Sequence, residues 1–390
     1  MRGTAAWGDS LHRSAVLREP RHRVFNRKKS AARSSKRLLH FFWDNYQRRS
    51  NDENVYQSSN AEIQKWAERI LGRHFVVHST SCVTQGRVTV SKEDVLLGQP
   101  TWEPGDAGAG LGPSERNWVL DNRLRNDAPC HPNTYILTPW VPEFPAEWTR
   151  NMPWYEKQLE AARVIFAICG PIWLEKTLAL DESTITGRVK SKLVRLNMCV
   201  NYEALRIDKA RFSPAGQRKV IHVSNLGSYK GFDLLAASTE GVTVPSVGST
   251  LLGKYEKGHN VINVSGTKCL IDNIGAVDNT NASQIEALVA EHDFYLHTSS
   301  MDAQATTILE FGARGLVPIV TRESGFESEH AIYLGRSAGE NREIIRAALH
   351  MPEEELRYRS ECIKMQIKLD HSWQTFYDTI AEKIRQTCES

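Results

Sequence analysis

Nothing in these 390 residues is both long and apolar enough to cross a bilayer. The longest apolar run, residues 162–173, is broken by Arg163, Gly170 and Pro171 and falls well short of the roughly 20 residues a helical span needs. The N-terminus lacks the apolar stretch of a secretory signal. Seven cysteines (Cys82, Cys130, Cys169, Cys199, Cys269, Cys362 and Cys388) contain no C-x-x-C pair and are odd in number. That argues against a disulfide framework or a zinc site and for free thiols in a reducing compartment. There is neither a D-x-D triplet nor a histidine cluster suited to a metal. The expectation from these absences is a cytoplasmic protein that uses no metal.

Positive charge is also scarcer than the totals suggest. The net charge is +3, yet residues 1–40 alone hold eleven Lys or Arg against Asp9 and Glu19. The rest carries 38 basic and 44 acidic residues, a net of −6, so the body has no electrostatic footprint for nucleic acid. Residues 1–36 read as a disordered basic tail. It is a solvated extension, an electrostatic attachment to the anionic inner membrane surface, or an organelle transit peptide.

What the chain does have is alternation. Expected strands at 38–43, 74–78, 94–98, 134–138, 164–168 and 192–200 are interleaved with helical patterns at 61–71, 115–125, 154–162 and 173–179. A polar stretch, 201–218, reads as a linker. The pattern then restarts, with strands at 219–224, 243–247, 270–276, 293–298 and 317–321. Helices fall at 231–237, 283–290, 306–314, 340–349, 352–367 and 373–385. Strands alternating with helices imply parallel sheets with crossover helices. The fold class is α/β, with two Rossmann-like domains facing a cleft and helices at the C-terminus. The expected domains are 37–205 and 206–370, with 371–390 as a closing helix.

Residues 293–326 carry the most chemistry. A buried strand runs into a polar loop holding Asp302, and a helix opens near Thr306 and Thr307. Amides in a first helical turn have no intrahelical partner and make an anion site. Glu310 lies about one turn further on, and a carboxylate suits a pair of vicinal hydroxyls. Amides for a diphosphate flanked by carboxylates for sugars are what a nucleotide sugar needs.

This stretch resembles the E-x7-E region of retaining GT-B glycosyltransferases, the large glycogen-synthase and sucrose-synthase-like family four (glycosyl transferases group 1). Asp302 and Glu310 have that spacing, and residues 313–320 match the turn and strand that follow. The resemblance implies that Asp302 contacts the transferred sugar and Glu310 holds the nucleotide ribose. Residues 220–237 are similar to the family's strand, loop, K-G and helix, which implies Lys230 on the donor phosphates. Asn225 stands where the family has an arginine, so Arg322 is a candidate to supply the second positive charge. Residues 195–201 look like the family's interdomain segment, and 372–384 like its closing helix, which often crosses back to the first domain. The resemblance covers about residues 190–385. It implies hexose transfer from a nucleotide sugar to a glycan or glycolipid with retention of configuration, no metal, and no cofactor beyond the donor.

The acceptor side is thinly marked. Gly105, Gly108, Gly110 and Gly112 form a glycine-rich loop that either approaches phosphate or is merely flexible. Gln99, Trp102 and Trp140 follow strand ends, where aromatic faces suit sugar rings; packing in the core is the competing assignment. His78 and His297 end strands and read as satisfied structural histidines. Two rivals to the transferase remain: a non-catalytic sugar- or nucleotide-binding scaffold on the same frame, and a nucleotide-sugar epimerase.

Overall fold

The computed structural model describes residues 36–43, 59–81, 90–100, 131–143, 152–207, 209–225, 228–250, 258–264 and 267–388. The basic tail, the glycine-rich loop with Trp102 and Gly110, and the helix expected at 115–125 lie outside the described residues. Residues 36–390 form one compact unit.

The first sheet has six parallel strands in the order β2-β1-β3-β4-β5-β6. They are β1 (Leu38–Trp43), β2 (Val76–Ser81), β3 (Val95–Gly98), β4 (Thr134–Pro139), β5 (Val164–Ile168) and β6 (Leu193–Leu196). Helix α1 (Ser59–Trp66) runs on into a π-helical turn, Ala67–Leu71; α2 is Met152–Ala161, α3 Pro171–Leu178 and α4 Ile185–Val189. β1 shows why this half needs cover on both faces. Leu39, Phe41 and Trp43 enter one core, and Phe42 enters the other. A parallel sheet buried on both sides reads as a nearly continuous apolar run. β2 begins two residues later than expected, because Arg73 and His74 donate back to Ile70 and Leu71 at 3.0 and 2.9 Å and prolong the helix end.

The chain leaves β6 through Met198–Asn201, an irregular buried segment rather than strand, and a short helix, α5 (Tyr202–Leu205). The stretch expected to be a plain linker is anchored instead. The Lys209 ammonium, almost wholly buried, donates to the Val289 and His292 carbonyls at 2.7 Å each.

The second sheet has seven strands, β13-β12-β11-β7-β8-β10-β9. These are β7 (Val220–Ser224), β8 (Ser246–Ser249), β9 (Gly258–Val264), β10 (Thr267–Ala276), β11 (Phe294–His297), β12 (Val317–Thr321) and β13 (Ile332–Leu334). All pairs are parallel except β9, which lies antiparallel on β10 at the edge. The helices are α6 (Phe232–Thr239), α7 (Ala282–Glu291), α8 (Thr306–Ala313), α9 (Ala338–Leu349), α10 (Glu353–Asp370) and α11 (Trp373–Cys388).

Helix α11 packs on the first half. The Tyr377 hydroxyl donates to the Ile63 carbonyl, and Arg73 donates to Gln374 at 3.1 Å. Tyr377, Ile380 and Ile384 share one core with Phe41, Ile63 and Tyr135. The two sheets are thereby joined through a common apolar cluster.

Candidate functional site

β7 and β11 are adjacent and parallel, with Phe294 opposite Val220 and Tyr295 opposite Ile221. Both open their carboxyl ends at one edge, where α/β sheets bind ligands. Past β7, a 3-10 turn (Ser228–Lys230) leads to Gly231 and α6. The loop after β11 is pinned to this turn. Ser299 Oγ and the Ser300 amide donate to the Tyr229 carbonyl at 2.8 and 2.9 Å, and Thr298 Oγ1 donates to that of Gly231 at 2.8 Å. Gly231 is needed twice over. Its φ is +68°, and a Cβ there would lie 2.0 Å from the Thr298 carbonyl oxygen.

This pinning brings Lys230 and Asp302 together. The Lys230 ammonium donates to Asp302 Oδ2, and both side chains are about one-eighth exposed. Burial pushes the Lys230 ammonium down, but the carboxylate of Asp302 and the Tyr229 ring outweigh it and raise its pKa. Burial acts to raise Asp302, while Lys230 and His297 more than offset it and hold the carboxyl below its usual range. Both members are therefore charged at neutral pH.

The first half reaches into this loop. Trp173 Nε1 donates to the Asp302 carbonyl at 2.6 Å, and the Gly170 amide donates to the Ala303 carbonyl at 2.8 Å. Gln304 accepts from the Met198 amide. Sequence reasoning missed Gly170 and Trp173. The only signal was the Gly-Pro step that breaks the apolar run 162–173.

Behind the pair lies His297, wholly buried, with Nε2 3.4 Å from Asp302 Oδ2. Neither ring nitrogen has an aligned hydrogen-bond partner among the described residues, and the 3.4 Å approach of Nε2 to Asp302 Oδ2 is at the long limit of such a bond. This corrects the expectation of a satisfied structural histidine. Burial and the Lys230 charge lower its pKa, against Asp302, which raises it. His222 stacks on it with ring centres 5.3 Å apart. His222 is fully satisfied: its Nδ1–H donates to the Leu296 carbonyl and its Nε2 meets the Ser224 hydroxyl, both at 2.9 Å. Burial, with His297 beside it, pushes it down to about 3.

Helix α8 opens at Ala305 with no side chain capping its first turn. Thr306 is half-buried at that turn. The Thr307 hydroxyl faces the sheet and meets the Tyr295 hydroxyl at 2.6 Å, so only its amide is placed for a ligand. Glu310 is buried, with Oε2 accepting from Asn279 Nδ2 at 2.5 Å. Arg314, one turn further, donates to the Glu310 carbonyl at 3.3 Å and to Asn279 Oδ1 at 3.5 Å. Asn279 and Arg314 were not anticipated. The four-residue spacing of Arg314 from Glu310 was the available signal.

The remaining expected residues scatter. Asn225 is exposed and donates to the Tyr229 hydroxyl at 3.2 Å. The Arg322 guanidinium lies 4.6 Å from the Tyr333 ring centre. It lines a cavity of about 140 Å³ with Pro171, Glu175, Phe326 and Glu327, among others. Among the described residues no hydrogen bond or ion pair joins its side chain to Lys230 or Asp302, although the neighbouring Glu323 carbonyl accepts from the Asp302 amide at 2.9 Å. Gln99 is half-buried just past β3, its amide bonded to the Phe42 carbonyl at 3.0 Å. Trp140 is wholly buried, and its Nε1 donates to Thr177 Oγ1 at 3.0 Å. It fills the core and cannot offer a ring face to an acceptor. Among the described residues, no three His, Cys, Asp or Glu side chains are grouped to hold a metal ion, and no helix is long and apolar enough to cross a membrane.

Two Rossmann-like halves and a last helix returning from the second to the first define the GT-B glycosyltransferase fold. Three solved structures are similar to this chain along nearly their whole length. Sucrose-phosphate synthase from Thermosynechococcus elongatus aligns with TM-score 0.60 at 10% identity, covering 90% of this chain and 99% of that one. The trehalose-6-phosphate protein of E. coli, bound with UDP-2-fluoro glucose, gives 0.55 at 10%, covering 90% and 99%. WaaG, a glycosyltransferase involved in lipopolysaccharide biosynthesis, gives 0.51 at 13%, covering 89% and 99%. In sequence, no family model and no curated protein matches.

Proposed function

We propose that this protein is a retaining glycosyltransferase that moves a hexose from a nucleotide sugar to a glycan or glycolipid acceptor. The observation that carries this is the meeting of Lys230 and Asp302 beside the uncapped start of α8, with Glu310 one turn in. A cation, open amides and two carboxylates at the strand ends suit a sugar diphosphate. The UDP-2-fluoro glucose in the E. coli protein of the same fold supports a nucleotide-sugar donor. The part WaaG takes in lipopolysaccharide biosynthesis supports a glycan or glycolipid acceptor.

In this reading Lys230 and the amides of Thr306 and Thr307 bind the diphosphate, with Asn225 and Arg322 at its margin. Asp302 meets the sugar and Glu310 the ribose. The leaving diphosphate takes the acceptor proton on the face from which it departs. Lys230 and the helix amides stabilise the charge that develops there, and no metal takes part. Gln99, with Trp102 and Gly110 beyond the described residues, belongs to the acceptor side. The protein works in the cytoplasm, with its basic tail against the anionic inner membrane surface.

Asn225 favours a second reading, a nucleotide-binding scaffold without turnover, because one lysine alone then meets the diphosphate. The test is a thermal-shift series with UDP, GDP, ADP and their sugars on the wild type and Glu310→Ala. A ligand at about 100 times its dissociation constant adds roughly 2.7 kcal/mol. A shift with one nucleotide, lost in Glu310→Ala, supports the donor site and names the base. No shift with any of them, in folded protein, rules the donor site out. Binding with neither transfer nor hydrolysis leaves the scaffold.

A further inference from the structure

We propose that donor binding is coupled to the uptake of one proton by His297, as Lys230 leaves Asp302 for the diphosphate. The inference rests on the donor site proposed above and concerns how that site keeps its charges balanced.

Three observations carry it. First, Lys230 is already committed: its ammonium is held by Asp302 Oδ2. To serve a phosphate it must give that contact up. Second, His297 is wholly buried with both ring nitrogens lacking an aligned hydrogen-bond partner, and Nε2 points at the same Oδ2 from 3.4 Å. An unsatisfied buried polar group is unfavourable and rare. One this close to a carboxylate is poised for a partner it does not yet hold. Third, among the described residues Lys230 is the one permanently charged cation paired with Asp302. A diphosphate carries about two negative charges. If His297 stayed neutral, Asp302 would face that anion with no cation of its own.

Asp302 is the other group that could take the proton, and uptake that survives in the His297 variants would place it there; the remaining neighbours offer it no place. From β7, His222 stacks on His297, but both its nitrogens are occupied, by the Leu296 carbonyl and the Ser224 hydroxyl. From β11 itself, Tyr295 lies 6.1 Å away ring to ring, and its hydroxyl is bound to the Val223 carbonyl and to Thr307. The 3-10 turn contributes Lys230 and the loop contributes Asp302. In the free protein, burial and the Lys230 charge hold the His297 ring below its ordinary range. Withdrawal of that ammonium and arrival of an anion both act to raise it.

The step balances simply. Lys230 keeps its three protons and moves from Asp302 Oδ2 to a phosphate oxygen. One proton passes from solvent to the free ring nitrogen of His297, whose Nε2–H then donates to Oδ2. No bond of the donor breaks.

Calorimetric titration of the full chain with UDP-glucose, GDP-mannose and ADP-glucose tests this. The diphosphates of these probes do not titrate near neutrality, so any proton exchanged belongs to the protein. The measurement is made in two buffers of different ionisation enthalpy. The expected result is uptake approaching one proton for the probe that binds, with affinity falling by up to about tenfold per pH unit between pH 6 and 8. In His297→Gln and His297→Asn, binding persists but the uptake and the pH slope vanish. Binding to wild type without proton exchange overturns the inference and leaves the donor site standing. So does uptake that survives in both variants. Failure of every probe to bind overturns the donor site, and the inference with it. The wild-type titration decides even where a variant fails to fold.

Discussion

The Lys230 ammonium and the Asp302 carboxylate, 72 residues apart in sequence, meet because the carbonyls of Tyr229 and Gly231 collect four hydrogen bonds from the loop after β11. The ion pair is a consequence of backbone docking, and its energetics follow from burial. Removing one member leaves the other charged and poorly solvated, a change worth about 3–5 kcal/mol in well-buried pairs. With one-eighth of each side chain exposed, the low end applies. Lys230→Met and Asp302→Ala should each destabilise by about 3 kcal/mol in urea denaturation. The double variant should lose clearly less than the sum. Additive losses would mean that the pair is not coupled.

Gly231 and Gly241 both have positive φ, +68° and +70°, but only Gly231 is crowded. A Cβ on Gly241 meets nothing within 4 Å, whereas one on Gly231 meets the Thr298 carbonyl at 2.0 Å. Gly241→Ala should therefore show the conformational term alone, about 1 kcal/mol. Gly231→Ala adds a backbone clash to it. It should lose at least about 3 kcal/mol and weaken nucleotide binding, because relief of the clash moves the Asp302 loop. Equal losses in thermal melts would refute the contrast.

Much of this frame was legible in the sequence. β5 and β12 fall where short runs rich in Val and Ile put them. The loop after β11 stood out in the sequence because Asp302 and Glu310 bracket a helix start. Other parts were hidden for physical reasons. β8 was expected at 243–247 but runs Ser246–Ser249, Ser-Val-Gly-Ser, buried at every position although mostly polar or small, because the sheet is tight there: a Cβ on Gly248 would meet Val277 at 2.6 Å. β9 owes its existence to pairing with β10 at the edge. Trp140, which follows a strand, was open to a cleft or a core reading, and its burial decides for the core, which position along the chain does not reveal. The Lys230–Asp302–His297 grouping joins β11, its loop and a distant turn, and no local pattern encodes it.

Trp140 packs among Ile136, Ile165 and Trp173 and donates one neutral hydrogen bond to Thr177, which itself donates to the Trp173 carbonyl at 2.7 Å. Trp140→Phe removes that bond and part of a ring from a tight core. A loss of about 1–2 kcal/mol is expected. Nucleotide-induced thermal shifts should be unchanged. A selective fall in acceptor use at full stability would return Trp140 to the cleft.

Buried histidines make the fold acid-sensitive, His371 and His222 among them. His371 donates Nδ1–H to the Met198 carbonyl at 2.7 Å, and burial lowers it to about 4. His222 is lowered to about 3, again chiefly by burial. A folded pKa below the unfolded value of about 6.5 means that the unfolded chain binds the proton first. Stability is thus full above about pH 6.5 and falls as the pH drops from there toward 4 for His371 and toward 3 for His222. For His371 the integrated effect is about 3 kcal/mol. Urea midpoints should fall steeply between pH 6.5 and 4, and His371→Asn should flatten that slope. A midpoint indifferent to pH over this window would contradict the buried neutral state.

Helix α11 ties the two halves, and Tyr377 is its most demanding contact. The ring is wholly buried against Trp373 and Phe376, and its hydroxyl donates to the Ile63 carbonyl inside α1. Burial of the phenol drives its pKa well up, so it remains a donor at any working pH. Tyr377→Phe keeps the ring and deletes only the donor, leaving a helix carbonyl without it. The expected loss is about 1–2 kcal/mol. Because Ile63 belongs to the first half and Tyr377 follows the second, the loss should appear as one cooperative transition at a lower urea midpoint. Two separated transitions would show instead that the halves unfold independently and that α11 is not what joins them.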